Sequence, residues 1–114
     1  MRYTLPDGRC LEVMESVHMA DGLGGEVWEG ARYLCKHLEQ LSHEGKLQGT
    51  RVLEVGGGTG LCSLVAAALG AKLVVVTDEF PDLLLKNVAS FLDMRAPDDN
   101  HCSAGELVAE GLTW

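Results

Sequence analysis

The chain has 114 residues, 46% hydrophobic and 23% charged, with a formal net charge of -8. That length holds one domain at most, and the composition is that of an ordinary globular core. The nine Lys and Arg residues form no run or stripe, which argues against nucleic acid as an electrostatic partner.

In chain order, Tyr3-Thr4-Leu5 and Cys10 to Met14 flank Pro6-Asp7-Gly8, which predicts a small hairpin within residues 1–20. Asp-Gly-Leu-Gly-Gly at 21–25 reads as a loop. A helix is expected over Glu26 to Ser42, because Val27, Ala31, Leu34, Leu38 and Leu41 share one face at helical spacing. After a loop at 45–49, Arg51 to Val55 reads as a short strand. A glycine turn at 56–60 ends it, and Leu61 to Leu69 is apolar on every side, as a helix packed on a sheet is. Gly70 stands where such a helix needs a left-handed residue. Leu73-Val74-Val75-Val76-Thr77 predicts a strand of a parallel sheet, buried on both faces. Pro81 suits the start of the next helix, with Leu84, Val88 and Phe91 along one side. A polar stretch at 95–105 precedes a third strand over 107–114.

The order βαβαβ after one leading helix is half of a doubly wound α/β sheet. Right-handed crossovers set the three strands side by side, with 51–55 at an open edge. A buried-type strand at an edge suggests an incomplete sheet or a partner. Residues 1–114 are expected to be a single domain, with 26–114 its Rossmann-like half.

The four cysteines, Cys10, Cys35, Cys62 and Cys102, have no CxxC spacing, so neither a disulfide framework nor a metal site is expected. A reducing compartment, cytoplasmic or nuclear, fits that usage. No secretory signal follows Met1, and the apolar run 61–71 is too short to cross a bilayer. His18, His37, His43 and His101 are isolated and read as solvated or capping residues rather than bases.

The chemistry concentrates at Glu54-Val55-Gly56-Gly57-Gly58-Thr59-Gly60. Four glycines in five residues between a strand and a helix bring a ligand close to backbone. A dinucleotide loop needs a third glycine that packs its helix. Counting from Gly56 that position is Leu61, and from Gly58 it is Ser63. The pattern is instead acidic-x-G-x-G-x-G. It suits S-adenosylmethionine, which has a cationic methionyl end and no pyrophosphate. Glu54 either holds that cationic end or is a satisfied buried acid. Asp78, 22 positions after Gly56, falls where an acid accepts both ribose hydroxyls. Its plainer reading is a helix N-cap. An NAD-binding half-domain ranks low on the glycine spacing.

Taken together, several segments resemble the seven-β-strand protein-lysine methyltransferases of class I. They are Gly25-Glu26-Val27-Trp28-Glu29-Gly30-Ala31, Arg51 to Leu61, Leu69-Gly70-Ala71, Val75-Val76-Thr77-Asp78, Asn87 in the helix that follows, and Leu112-Thr113-Trp114. The resemblance implies that Trp28 lies beside the cofactor and that Trp114 flanks the adenine. Without it, Trp28 reads as core and Trp114 as a frayed end. It also implies methyl transfer to a protein lysine, with S-adenosylmethionine as cofactor and a protein as partner. Two departures stand out. Thr113 replaces the family's Asp, and Asp78-Glu79-Phe80-Pro81-Asp82-Leu83 resembles relatives once called nicotinamide N-methyltransferase-like, which keeps a small amine or pyridine acceptor open. The family's fourth strand, with its Asp-x-x-Tyr or Asp-x-x-Phe motif, does not appear, so the chain is expected to be the N-terminal part of such a domain. A truncated module that only binds cofactor or a partner is the alternative of another class. No catalytic base is assigned.

Overall fold

The structure is a computed structural model that describes residues 1–16, 25–94 and 105–113. The expectations for Trp114, His18, His101 and Cys102, and most of those for the loops at 21–25 and 95–105, fall outside the described residues.

The chain opens with β1 (Arg2–Thr4) and β2 (Cys10–Glu12), paired antiparallel with Tyr3 opposite Leu11. Gly8 turns the hairpin at positive φ. The helix α1 follows at Glu29–His43, then β3 (Arg51–Val55), α2 (Leu61–Ala68), β4 (Leu73–Asp78), α3 (Asp82–Asp93) and β5 (Glu106–Gly111). The strands β3, β4 and β5 form a parallel sheet in that order, with β3 at an edge. This is the α/β, Rossmann-like half-sheet that the sequence predicts.

Direct pairing across the sheet puts Val52, Val74 and Leu107 on one row and Glu54, Val76 and Ala109 on the next. That face is the covered one: Val74 and Val76 are fully buried and Leu107 nearly so. Helix α2 lies on it, with all eight of its residues buried. Arg9 of the hairpin donates to the Ala68 carbonyl at its end (2.9 Å). Tyr3, Leu5, Leu11 and Val13 of the hairpin join Leu61, Leu64, Val65, Leu84 and Val88 in a single core.

Two expectations need correction. Strand β4 is not buried on both faces. The opposite row holds Leu53 at 68% exposure, half-buried Val75, and Val108 at 36%, because no described element covers that face. Helix α1 starts three residues late, at Glu29. The segment ahead of it is tied to the hairpin's exit: Ser16 N–H donates to the Gly25 carbonyl (2.7 Å), and Val27 N–H to Glu15 Oε1 (2.9 Å). A Cβ at Gly25 would collide with the Ser16 carbonyl oxygen, so only glycine permits this clamp. The clamp holds Trp28 extended (φ -71, ψ 151). Within α1 the buried residue is Cys35, whereas Leu34 is 44% exposed.

Candidate functional site

A strand ends where its ladder runs out of partners, and here β3 runs directly into the glycine loop. Gly57 N–H still bonds the Thr77 carbonyl (2.8 Å), so the loop leaves the sheet turning over the end of β4. A Cβ on Gly57 would strike Val76 Cγ2, which packs the loop against the strand. Gly60 is strict in both conformation and space. It stands at the N-cap of α2 at φ 90, and a Cβ there would meet Leu84 Cδ1 at 2.7 Å. With no side chain at that cap, the first N–H groups of α2 are left without a capping side chain.

The loop borders a cavity of about 430 Å³, within the roughly 300–1,000 Å³ usual for small-molecule sites. Its lining includes Trp28, Glu54, Gly56, Gly57, Gly58 and Asp78. Six of the predicted site residues, from three separate segments, therefore meet around one space. Gly60 does not line it and instead starts α2. Trp114 lies outside the described residues. Trp28 is 55% exposed, which rules out a core role for it. Thr59, Leu61, Cys62 and, from the first turns of α1, Gly30, Ala31 and Leu34 also line the space, as do Glu26 and Val27. Apart from Thr59, which belongs to the predicted loop, the sequence does not mark these as site residues. Leu34 falls on the core face of the helical pattern, and Cys62 sits inside an apolar run that gives no signal of a pocket.

The two carboxylates are held differently. Asp78 is buried and already works for the backbone. Its Oδ2 accepts Gly58 N–H (2.8 Å) and its Oδ1 accepts Phe80 N–H (2.9 Å). It does not cap α3, whose N-cap is Pro81. One bond on each oxygen leaves acceptor capacity on both, so the same carboxylate shapes the glycine turn and can still accept ligand hydroxyls. Glu54 is held by Ser63, whose hydroxyl donates to Oε1 (2.6 Å) and whose backbone also bonds the carboxylate. Burial pushes the Glu54 carboxyl up from its ordinary value, and the Asp78 charge pushes the same way, against the Ser63 bonds. A buried acid pushed upward thus stands at the cavity wall.

The loop has one more support. Asn87 on α3, 1% exposed, donates through Nδ2 to the carbonyls of Thr59 (2.9 Å) and Met14 (3.0 Å), and its Oδ1 accepts Met14 N–H (2.8 Å). One side chain thus joins the glycine loop, α3 and the hairpin's exit. In the sequence, Asn87 stands out only through the family resemblance.

Comparison with known proteins agrees with this geometry. A family model described as lysine methyltransferase matches residues 6–114. The protein N-lysine methyltransferase METTL21A of Xenopus tropicalis is 43% identical over 94 residues, covering 82% of this chain and 40% of the relative. The protein N-terminal and lysine N-methyltransferase efm7 of Neurospora crassa is 38% identical over 95 residues, 77% of this chain and 31% of the relative. The chain spans less than half the length of these relatives. Among solved structures, an RNA methyltransferase candidate from Pyrococcus horikoshii superposes with a TM-score of 0.55 at 20% identity, over 87% of this chain and 45% of that one, a likeness of fold.

Proposed function

Because the chain belongs to the lysine methyltransferase family, we propose that it is the S-adenosylmethionine-binding part of an enzyme that methylates protein lysine side chains. The observation that supports this best is that two acids and the glycine loop line one cavity. Glu54, a carboxylate at the cavity wall, suits the cationic methionyl end. Asp78, with an unused acceptor site on each oxygen, suits the ribose hydroxyls. Trp28 supplies an aromatic wall. The residues fit the cofactor in a second respect: a Cβ at Gly56 would meet nothing within 4 Å, so the loop leaves open space where a ligand can approach backbone.

The cofactor supplies an activated sulfonium methyl, and transfer is an in-line displacement at that carbon. The leaving sulfur needs no acid. This chain's share is to bind, orient and enclose the donor, and positioning of that kind carries much of the rate in a two-reactant step. No described side chain is assigned as base. The acceptor is a neutral amine, and in this reading it is a lysine of a protein, as the names of the relatives suggest.

Equilibrium dialysis of the chain against labelled S-adenosylmethionine and labelled NAD tests the cofactor. Tighter S-adenosylmethionine binding is expected, and tighter NAD binding would overturn the reading. Incubation of the full-length protein with labelled cofactor and a protein extract tests the acceptor. Label in lysine is expected, and label confined to nicotinamide or a small amine would replace the protein acceptor. As to compartment, we infer a cytoplasmic or nuclear setting from the cysteine usage. Among the described residues no helix is long and apolar enough to cross a membrane. Imaging of the protein with a small epitope tag would test the compartment, and a secreted product would overturn it.

A further inference from the structure

The cavity wall contains a feature that cofactor binding does not use. Cys62, in the first turn of α2, lines the cavity and is 6% exposed. Its Sγ lies 3.9 Å from Sγ of Cys35, which α1 buries completely. The Cys62 thiol itself donates to the carbonyl of Ala31 (3.4 Å), another residue of the same wall. Two thiols from two packed helices therefore meet with one of them at the pocket surface. Both are free, and a disulfide needs the sulfurs at about 2.05 Å, a closure that adjusted side-chain torsions and a small helix shift can supply.

We propose that Cys62 and Cys35 are an oxidisable pair: a hydroperoxide reaching the pocket oxidises Cys62, Cys35 closes the disulfide, and oxidation and cofactor occupancy exclude each other. The polarity of the pair favours this order. The Cys35 thiol donates to Cys62 Sγ, which pushes Cys35 up and draws Cys62 below its ordinary value, against the effect of burial and of Glu54. The thiolate is the nucleophile in such chemistry. Cys62 loses its proton, and its sulfur attacks one peroxide oxygen. The O–O bond breaks, the leaving oxygen (hydroxide when the oxidant is hydrogen peroxide) takes up the released proton as water, and Cys62 carries a sulfenic acid. Cys35 sulfur then attacks Cys62 sulfur, the S–O bond breaks, and the hydroxyl leaves with the Cys35 proton as a second water. Two thiols are oxidised to one disulfide, and one hydroperoxide is reduced.

Exclusion follows from position. Closing the bond draws the first turn of α2 toward α1, and that turn begins directly after Gly60. The glycine loop is thereby displaced from the geometry that Asp78 and Asn87 hold. By linkage, a cofactor that prefers the open geometry must disfavour the disulfide to the same degree. The exclusion rests on the cofactor reading above, whereas the pair itself does not.

The test uses the chain with Cys10→Ser and Cys102→Ser, treated with hydrogen peroxide and read by intact mass and peptide mapping. Loss of two hydrogens and a Cys35–Cys62 crosslink are expected. Sulfinic acid on Cys62 beside a free Cys35, or crosslinks between molecules, would overturn the pair. Adding Cys35→Ser should leave a Cys62 sulfenic acid that dimedone traps. If that variant does not fold, the crosslink in the chain that keeps both Cys35 and Cys62 decides. S-adenosylhomocysteine is then titrated calorimetrically into the reduced chain and added during oxidation. Slowing of the crosslink by about tenfold or more is expected at saturation. Binding without protection would overturn the exclusion. Absence of binding to the reduced chain would instead overturn the cofactor reading, while the crosslink yield would still decide on the pair.

Discussion

The ends of two neighbouring strands bring the same functional group to the pocket in two kinds of setting. At the β4 end, Asp78 is committed: each oxygen already holds a backbone N–H, one from the glycine loop and one from the turn beyond the strand. At the β3 end, Glu54 is held by Ser63, through its hydroxyl on Oε1 and a backbone bond, yet burial still pushes its carboxyl up. A ligand at the first end finds a rigid acceptor that costs little to reorganise. A ligand at the second end finds an acid whose charge the unliganded fold tolerates poorly. Preorganisation at one end and uncompensated charge at the other is what a molecule with a neutral diol and a cationic tail requires.

Substitutions should separate the two. Asp78→Ala should have the largest effect, lowering S-adenosylmethionine affinity by about a hundredfold, ~2.7 kcal/mol, and also destabilising the unliganded chain, since Gly58 and Phe80 lose their acceptor. Calorimetric titration and urea unfolding read the two losses, and unchanged affinity would remove Asp78 from the site. Glu54→Gln should divide the same two readouts. Affinity should drop about tenfold, ~1.4 kcal/mol, while unliganded stability holds or rises, because a poorly tolerated charge is gone. A drop in both would mean that Glu54 is structural.

The pH dependence sharpens the contrast. A carboxyl pushed up in the folded state is protonated there while the unfolded chain has already lost the proton. Stability of the unliganded chain should therefore fall as pH rises from the ordinary glutamate value to the raised one, and level off above it. Cofactor affinity should rise across the same window, since a cation beside Glu54 favours its charged form. Both trends should flatten in Glu54→Gln, and if they persist there, Glu54 is not their source. Ser63→Ala should have the smallest effect, about 1 kcal/mol in urea unfolding. It should also move the pH window upward, because the Ser63 hydroxyl bond is the larger of the two that oppose the rise.

Most of the frame was legible because it is written locally. The β-branched run of β4, the apolar α2 and the glycine turn each follow from a few adjacent residues, and the spacing from Gly56 to Asp78 follows from the two elements between them. What was not legible depends on distant contacts. The start of α1 is set by the pairing of residues 25–27 with 15–16, and with it the place of Leu34 at the pocket rather than in the core. The bare face of β4 is not readable from its sequence, because a run of Val looks the same whether or not another element covers it. Cys62 is unreadable as a pocket residue for a similar reason: within Leu61-Cys62-Ser63-Leu64 it is one more small buried side chain. Trp28 reaches the pocket in the sequence reading only through the family resemblance, since its helix offers an equally good place in the core.

Asn87 has a consequence for how the molecule comes to be made. Its three bonds join positions 14, 59 and 87, so the separation they close is among the longest in the domain. Contacts of high sequence separation form late, after the local elements have met their own ordering entropy. On a ribosome, the hairpin and the glycine turn emerge well before the residue that ties them together. The turn should thus reach its final shape only when α3 docks, and the ability to bind cofactor should appear as one of the last events of folding, behind the recovery of helix and sheet.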